Sequence, residues 1–348
     1  YWTRFNFWSV VFRFRKHDSS LFEKTSEMVI NWKLIIENFK SAESAKSVRN
    51  KPMKKLFKIF IVPIFLTVTS CQINQVLEPW RNSLEKKEFA WKEGIDSLKL
   101  KISGENLQPE FFKNNQILEK DFTIKSFYFK TKEGRKLNAW LLQSTTEKPK
   151  TSIFALHGNA GNLNTQFQSF ADLTKNGFQI FIFDYSGFGY SEGKATRKNA
   201  LEDAFSAFQF FENLDEVKKT PKIIYGQSFG GNLAIPLATR NQQKLEGLVV
   251  EGTFMNVKNI ANSKIPVFGG LIISNNYNNR QNLKNFKKPI LIVHSKEDRV
   301  VNFKLGKQIF KNANQPKEFF EIDKPHINGI RFYHNEISNK IDSLILKK

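Results

Sequence analysis

Short apolar runs alternate with amphipathic stretches over the last two thirds of this 348-residue chain. The apolar runs predict strands near 123–130, 136–143, 151–157, 178–184, 222–226, 247–251, 289–294 and 317–322. The amphipathic stretches predict helices near 165–176, 198–213, 229–240 and 304–313. The run from Pro289 to Val293 is almost entirely apolar, which is typical of a strand buried on both faces of a parallel sheet. After the first strand pair, strands and helices alternate, so we expect an α/β fold with helices on both faces of a mostly parallel sheet.

A sharp turn is predicted where the apolar run Ile223–Tyr225 meets a helix, because the sequence there is Gly226-Gln227-Ser228-Phe229-Gly230. A G-x-S-x-G between a strand and a helix is the pattern of a nucleophile elbow. The glycines stand where a larger side chain would collide with the neighbouring strand and helix. We therefore expect Ser228 to be a nucleophile, against the alternative of an ordinary helix N-cap serine.

The G-x-S-x-G pattern occurs a second time, from Gly189 to Gly193, with Ser191 at its centre. The preceding apolar run ends at Asp184, and glycines separate it from Ser191. The next helical stretch begins only near Lys198. We therefore interpret Ser191 as a loop serine.

A base and an acid follow Ser228 in the chain. His326 falls in a loop after the predicted strand 317–322, where a histidine can lie over a nucleophile. Asp298 follows the predicted strand 289–294, and a carboxylate there can accept a hydrogen bond from the histidine and fix its tautomer. Glu297 and Glu251 are the rival acids, and a solvated loop carboxylate is the alternative for each.

An oxyanion hole is predicted after the strand 151–157, where His157-Gly158-Asn159-Ala160-Gly161 is rich in small residues. Small residues let the backbone approach a substrate carbonyl. The N–H of Asn159 or Ala160, together with the N–H of Phe229, could face the developing negative charge. We expect His157 to be structural.

An apolar run of twelve residues from Ile59 to Ser70 follows the basic start Met53–Lys58 and precedes Cys71. The run is too short to span a bilayer comfortably. A basic start, then an apolar run, then small residues before a cleavage point are typical of a secretory signal. The end of this run resembles a bacterial lipobox, which predicts a lipoprotein signal peptide over 53–70. Cys71 is the only cysteine and would be lipidated as the mature N-terminus, with an incidental cysteine in an uncleaved anchor as the alternative.

Three further segments complete the expected organisation. The chain opens with Tyr1 rather than Met, and we interpret 1–52 as a doubtful leader, translated from upstream sequence. Residues 71–115 are expected to be a tether with a helix or two that packs on the main domain, which spans 116–348. The segment at about 255–285 breaks the strand–helix rhythm and is expected to be a small lid, with an ordinary packing helix as the alternative.

Charge and composition narrow the range of binding partners and cofactors to expect. The formal net charge is +21, which favours anionic surfaces. No helix-turn-helix, zinc spacing or aromatic RNA-binding pattern is visible in the sequence, so we expect no nucleic acid and favour anionic lipid. The sequence has no Cys/His cluster that would indicate a metal site. It also has no G-x-G-x-x-G after a predicted strand, the pattern of a dinucleotide site, so we expect no metal or other cofactor.

From about 122 to 345 the chain resembles the α/β-hydrolase superfamily, and most closely its ABHD-type serine hydrolases. The similar pieces come in family order: Glu133–Trp140, His157-Gly158-Asn159, Asp184–Ser191, Gly226–Gly230, Glu251–Phe254, Pro289–Val301 and His326-Ile327-Asn328. The resemblance implies the α/β-hydrolase fold, with Ser228 as nucleophile, Asp298 as acid and His326 as base. Two positions depart from the family pattern: Pro325 precedes the histidine, and Pro236 stands inside the elbow helix.

The expected function is that of a serine hydrolase, anchored by lipid in a bacterial cell envelope, that cleaves a small acyl ester or thioester through an acyl-enzyme. A serine nucleophile argues against dehalogenase or epoxide-hydrolase chemistry. Two alternatives remain open at this stage. One is a serine peptidase or amidase on the same fold, and the other is a non-catalytic binding protein that has kept the fold.

Overall fold

The structure is a computed structural model that describes residues 77–93, 95–258, 260 and 278–347. The expected leader 1–52, the signal peptide 53–70 and the lipidation site Cys71 lie outside these residues. So does most of the expected lid at 255–285. All the described residues fall within one compact unit, 70–348.

The strands are β1 Glu78–Pro79, β2 Glu88–Glu93, β3 Asp96–Ser103, β4 Gln108–Lys113, β5 Gln116–Ile117, β6 Phe122–Lys130, β7 Lys136–Ser144, β8 Thr151–Leu156, β9 Ala160–Gly161, β10 Phe178–Phe183, β11 Lys222–Gln227, β12 Gly247–Glu251, β13 Ile290–Ser295 and β14 Lys317–Ile322. The α-helices are α1 Leu163–Gln166, α2 Gln168–Ala171, α3 Arg197–Glu212, α4 Asp215–Lys218, α5 Phe229–Asn241, α6 Asn279–Asn285, α7 Phe303–Asn312 and α8 Gly329–Lys340. Short 3₁₀ helices cover Asp172–Asn176 and Gln242–Lys244, and a π-helical segment covers Ile341–Leu346. The predicted helix near 165–176 is thus divided among α1, α2 and a 3₁₀ helix.

The main sheet has eight strands in the order β14-β13-β12-β11-β8-β10-β7-β6. From β10 to β14 across the sheet the neighbours are parallel, while β7 runs antiparallel to both β10 and β6. The α/β class expected from the alternation of strands and helices is confirmed. Parallel strands place their carboxyl ends at one edge, and that edge carries the loops after β8, β11, β12, β13 and β14.

The core lies on both faces of the sheet, and β8 shows why its sequence is almost continuously apolar. Ile153 and Ala155 belong to one buried cluster, whereas Phe154 and Leu156 belong to the other. Successive side chains of a strand point to opposite faces. Because helices cover both faces, every position of this strand is buried.

The segment before the main sheet differs from its prediction. In place of a helix or two, 77–93 and 95–115 form strands, and β2-β3-β4-β5 make a second, antiparallel sheet. Leu100 and Ile102 alternate with lysines along β3, so one face is apolar and joins the core, as Phe111 of β4 does. This period of two is a strand signal. The sequence interpretation missed it because many lysines and glutamates made the segment look like a polar tether.

Pro236 lies inside α5 without disrupting it. A proline in a helix cannot donate to the carbonyl four residues earlier, which here belongs to Asn232. The side chain of Asn279 in α6 donates to that carbonyl at 2.9 Å. The elbow helix therefore keeps its carbonyl satisfied through a neighbouring helix.

Candidate active site

Ser228 is the single residue between the end of β11 and the start of α5, with φ 52° and ψ −119°. A non-glycine residue at positive φ is uncommon and costs free energy. The flanking glycines make the turn possible: a Cβ added at Gly230 would lie 2.0 Å from the carbonyl oxygen of Leu156, and one added at Gly226 would lie 2.5 Å from the carbonyl oxygen of Gly230. The Ser228 N–H donates to the Glu251 carbonyl at 2.9 Å, which holds the turn against β12.

The loop after β8 lies directly beside the elbow. A Cβ added at Gly158 would be 3.8 Å from the Cβ of Ser228, so Asn159 follows a residue in contact with the serine. Phe229 opens α5, and the first N–H groups of a helix have no partner within the helix. The two amides expected to form an oxyanion hole therefore come from chain segments that flank Ser228.

Strand β1 fixes the outer side of this loop. The Glu78 N–H donates to the Asn159 carbonyl at 2.8 Å, and the Trp80 N–H donates to the Gly161 carbonyl at 3.0 Å. The side chain of Asn162 donates to the Trp80 carbonyl at 2.9 Å. The sequence reasoning missed this contact, because a two-residue strand leaves no periodic signal.

Asp298 and His326 are in direct contact. The Oδ2 atom of Asp298 lies 2.6 Å from Nδ1 of His326. The other carboxylate oxygen accepts the N–H groups of Val300 and Val301 at 2.8 and 2.7 Å, so the loop after β13 orients the acid. The arrangement leaves Nε2 of His326 as the ring nitrogen that can exchange a proton with a nucleophile.

The histidine and the elbow both flank the end of β12. The Ser228 N–H binds the carbonyl of Glu251, and a Cβ added at the next residue, Gly252, would lie 3.1 Å from the ring of His326. Three loops that follow different parallel strands thus bring Ser228, His326 and Asp298 to the carboxyl edge of the sheet.

Glu251, the rival acid, occupies a different position. Its carboxylate accepts hydrogen bonds from the Tyr225 hydroxyl at 2.9 Å, the Gln227 amide at 2.8 Å and the Gly329 N–H at 2.6 Å. Burial raises the pKa of Glu251, and the donors from Gln227, Gly329 and Tyr225 act in the opposite direction. The residue joins the strand of Ser228 to the start of α8, whereas Asp298 contacts His326.

Two other histidines near the site are buried. Burial lowers the pKa of His157 to about 4, and the ring is held by the Gly158 carbonyl, 2.8 Å from Nδ1. Burial also lowers the pKa of His294, whose Nε2 lies 3.0 Å from the Val301 carbonyl oxygen and 3.5 Å from Oδ2 of Asp298. Both rings are structural: one supports the loop after β8, and the other supports the loop that carries Asp298.

Ser191 has a buried hydroxyl with two partners. Its Oγ donates to the Asp184 carbonyl at 2.8 Å and accepts the Asn138 N–H at 3.0 Å. These bonds join the loop after β10 to β7. The second G-x-S-x-G serine therefore has a structural place in the fold.

The chain is similar to several known proteins. A family model described as serine aminopeptidase, S33 matches residues 147–276. The "Uncharacterized protein YfhR" of Escherichia coli O157:H7 is 27% identical over 221 residues, which are 62% of this chain and 78% of that protein. Human "Alpha/beta hydrolase domain-containing protein 17B" is 26% identical over 216 residues, which are 62% of this chain and 73% of that protein.

Among solved structures, Est1E from Butyrivibrio proteoclasticus with ferulic acid bound has a TM-score of 0.55 and 18% identity, covering 63% of this chain and 99% of that one. The fold is that of an α/β-hydrolase. Together with the family and sequence similarities, it supports a serine hydrolase of the α/β-hydrolase superfamily.

Proposed function

We propose that this protein hydrolyses a carboxylic ester or thioester through an acyl-enzyme, with Ser228 as nucleophile, His326 as base and Asp298 as the acid that orients the base. The observation that carries the proposal is the 2.6 Å contact between Asp298 and His326, at the same end of β12 that binds the strained serine of the strand–helix turn. A positioned acid–histidine pair beside a serine is the arrangement that activates a hydroxyl for acyl transfer.

The reaction proceeds in two halves. In the first, Ser228 Oγ attacks the acyl carbon while Nε2 of His326 takes the hydroxyl proton, and the Asn159 and Phe229 N–H groups bind the oxygen that becomes negative. The tetrahedral intermediate then expels the alcohol or thiol, which receives that proton from His326. In the second half, water gives a proton to His326 and attacks the acyl-enzyme, and the acid leaves as Ser228 regains its proton.

An ester substrate is supported by the similarity of the fold to a solved structure described as an esterase, that of Pyrococcus furiosus, and a thioester would react through the same acyl-enzyme. Peptide or amide hydrolysis is the second candidate, because the matching family is described as serine aminopeptidase. Hydrolysis of p-nitrophenyl esters of rising acyl length, compared with aminoacyl p-nitroanilides, separates the two candidates. We expect turnover of the esters to exceed turnover of the anilides.

The nucleophile is tested by labelling the full chain with a fluorophosphonate. We expect Ser228→Ala to abolish labelling and to lower the kcat for esters on the order of 10⁴-fold or more, because it removes the attacking oxygen. The matched control is Ser191→Ala, which should change kcat less than about tenfold. Labelling that survives Ser228→Ala would sink the assignment. A wild type that neither reacts with the probe nor hydrolyses any ester would indicate the non-catalytic alternative.

We further propose that the functional chain begins at Met53, is cleaved after Ser70 and is anchored by lipid on Cys71 in a bacterial cell envelope. The support comes from the sequence, since these residues lie outside the described part. Among the residues that the structure describes, no helix is long and apolar enough to cross a bilayer. Leu77 is buried in the core, and six residues of extended chain reach at most about 20 Å, so a lipid on Cys71 would hold the domain close to the membrane surface.

Anchoring is tested by metabolic labelling with a fatty-acid analogue. Cys71→Ser should abolish labelling, whereas Ser70→Ala, which keeps a small residue at the cleavage point, should preserve it. Several acyl chains on one cysteine anchor a protein stably, whereas a single chain binds only marginally. Recovery of peptides from 1–52 in the mature protein would overturn both the start site and the anchor.

A further inference from the structure

The loop that carries His326 contains a strained backbone. It joins β14 to α8, and Ile327, the residue after the histidine, has φ +51°. A β-branched residue is a rare occupant of the left-handed region, because its side chain crowds the backbone there. Such a conformation persists only where surrounding contacts hold it. The position of the histidine ring therefore depends on what holds the turn after it.

Contacts hold the turn on two sides. On one side Asp298 binds Nδ1 of His326 at 2.6 Å, and Gly252 lies close to the ring and to the side chain of Ile327, since a Cβ built at that glycine would be 3.1 Å from each. On the other side the Gly329 N–H donates to Oε1 of Glu251 at 2.6 Å. The strained residue thus lies between two carboxylate contacts.

Glu251 is well placed to hold the second side of this turn. The residue is 1% exposed, and its other oxygen accepts the Tyr225 hydroxyl and the Gln227 amide of β11. Gln227 pairs with Glu251 in the sheet and directly precedes Ser228. All three partners donate, which favours the ionised carboxylate as their acceptor. One buried side chain therefore connects the strand that presents the nucleophile to the turn that presents the base.

We propose that Glu251 is a positioning residue: it holds the strained His326–Gly329 turn in register with Ser228 and acts through that turn without touching the substrate. The inference rests on the proposed serine-hydrolase function. It goes further by giving a catalytic consequence to a buried carboxylate that is not the acid of the triad.

The informative variant is Glu251→Gln, since glutamine has nearly the same size but only one acceptor oxygen. That oxygen stays where the Tyr225 and Gln227 donors converge, so the NH₂ group faces the Gly329 N–H and the bond to the turn is lost. Hydrogen bonds to charged groups are among the stronger ones, so we expect kcat to fall about 10- to 100-fold with KM within about threefold. If the variant does not fold, Glu251→Asp replaces it, because aspartate keeps the charge but withdraws the carboxylate from Gly329.

A double-mutant cycle with Ile327 separates positioning from simple core packing. Ile327→Asn removes the branched side chain, and asparagine tolerates positive φ, so the turn needs less support. In that background we expect Glu251→Gln to cost less than about threefold in kcat, because contacting residues are coupled. The matched control is Ile327→Val, which keeps the branch at Cβ. There the loss from Glu251→Gln should equal that in the wild type.

Equal losses in all three backgrounds would overturn the proposal, since a purely structural Glu251 would act independently of the strain. A loss near 10⁴-fold in every background would also overturn it and make Glu251 the acid of the triad. A spectroscopic readout is independent of turnover: the low-field proton NMR signal of the His326–Asp298 hydrogen bond should weaken in Glu251→Gln and return in Glu251→Gln/Ile327→Asn.

An unchanged proton signal in Glu251→Gln contradicts the positioning role even if the enzyme is active. Failure of the proposed function has a different signature, namely a wild type without turnover or fluorophosphonate labelling. In that case the NMR comparison still decides whether Glu251 holds the turn.

Discussion

The proposed acid, Asp298, offers the sharpest test, because its hydrogen bonds determine how an amide would sit in its place. One carboxylate oxygen accepts two backbone N–H groups, from Val300 and Val301, and the other faces Nδ1 of His326. In Asp298→Asn the single oxygen must serve the two backbone donors. The opposite rotamer would leave both N–H groups without an acceptor, at about 1–3 kcal/mol each.

The asparagine NH₂ group therefore points at His326 and donates to Nδ1. A neutral imidazole that accepts at Nδ1 carries its proton on Nε2, so the nitrogen that should take the proton of Ser228 is already occupied. Conversion of a triad acid to its amide costs about 10⁴-fold in kcat, which corresponds to about 5 kcal/mol of transition-state stabilisation. We expect a loss of that size in Asp298→Asn with a small change in KM.

The assay is steady-state hydrolysis of p-nitrophenyl esters, with thermal unfolding measured alongside to show that each variant is folded. The matched control is Glu297→Gln, the exposed acid next to Asp298, which should retain kcat within about twofold. Retention of more than about a tenth of the wild-type kcat in Asp298→Asn would refute the tautomer argument. A larger loss in Glu251→Gln than in Asp298→Asn would place the acid after β12.

Two further predictions concern the loop after β8. Trp80→Pro removes the N–H that binds the Gly161 carbonyl, and loss of one neutral hydrogen bond should lower kcat about fivefold. Trp80→Ala should have little effect, because Trp80 is 52% exposed. Equal losses of kcat for ester hydrolysis in the two variants would contradict this prediction. His157, with a pKa of about 4 when folded, takes up its proton at higher pH when unfolded, so the wild type should lose about 3 kcal/mol of unfolding free energy as the pH falls from 6.5 to 4. Urea unfolding of His157→Asn should lack this part of the pH dependence, and identical pH slopes in the two proteins would show that the histidine titrates normally.

The strands of the main sheet were predictable because each carries its own signal. The runs at β8, β10 and β13 are apolar at nearly every position because helices cover both faces of the sheet, and the boundaries agree to within a residue or two. The elbow was predictable for a similar local reason. Its two glycines are required because the backbone of Gly230 lies against Gly226, and the backbone of Leu156 lies against Gly230.

The N-terminal sheet shows where local patterns were misleading. β3 alternates apolar residues with lysines, but the many lysines and glutamates of β2 to β4 make the whole segment look polar. Whether such a segment forms a strand or a tether depends on whether an apolar surface is available to cover it. The structure supplies that surface through Phe167, whose ring lies 5.4 Å from the ring of Phe111.

The sequence alone determined the α/β class and the sharp turn at Ser228, and it predicted an order of nucleophile, acid and base, because these follow from periodicity and short motifs. It predicted Asp298 as the acid, with Glu251 and Glu297 as rivals, since all three lie at or just after the ends of buried strands. Only the tertiary structure shows the partners of each carboxylate: Asp298 contacts His326, whereas Glu251 accepts the Gly329 N–H. The physical reason is that a side chain's partners across loops depend on the paths of several chain segments at once, which no local pattern specifies.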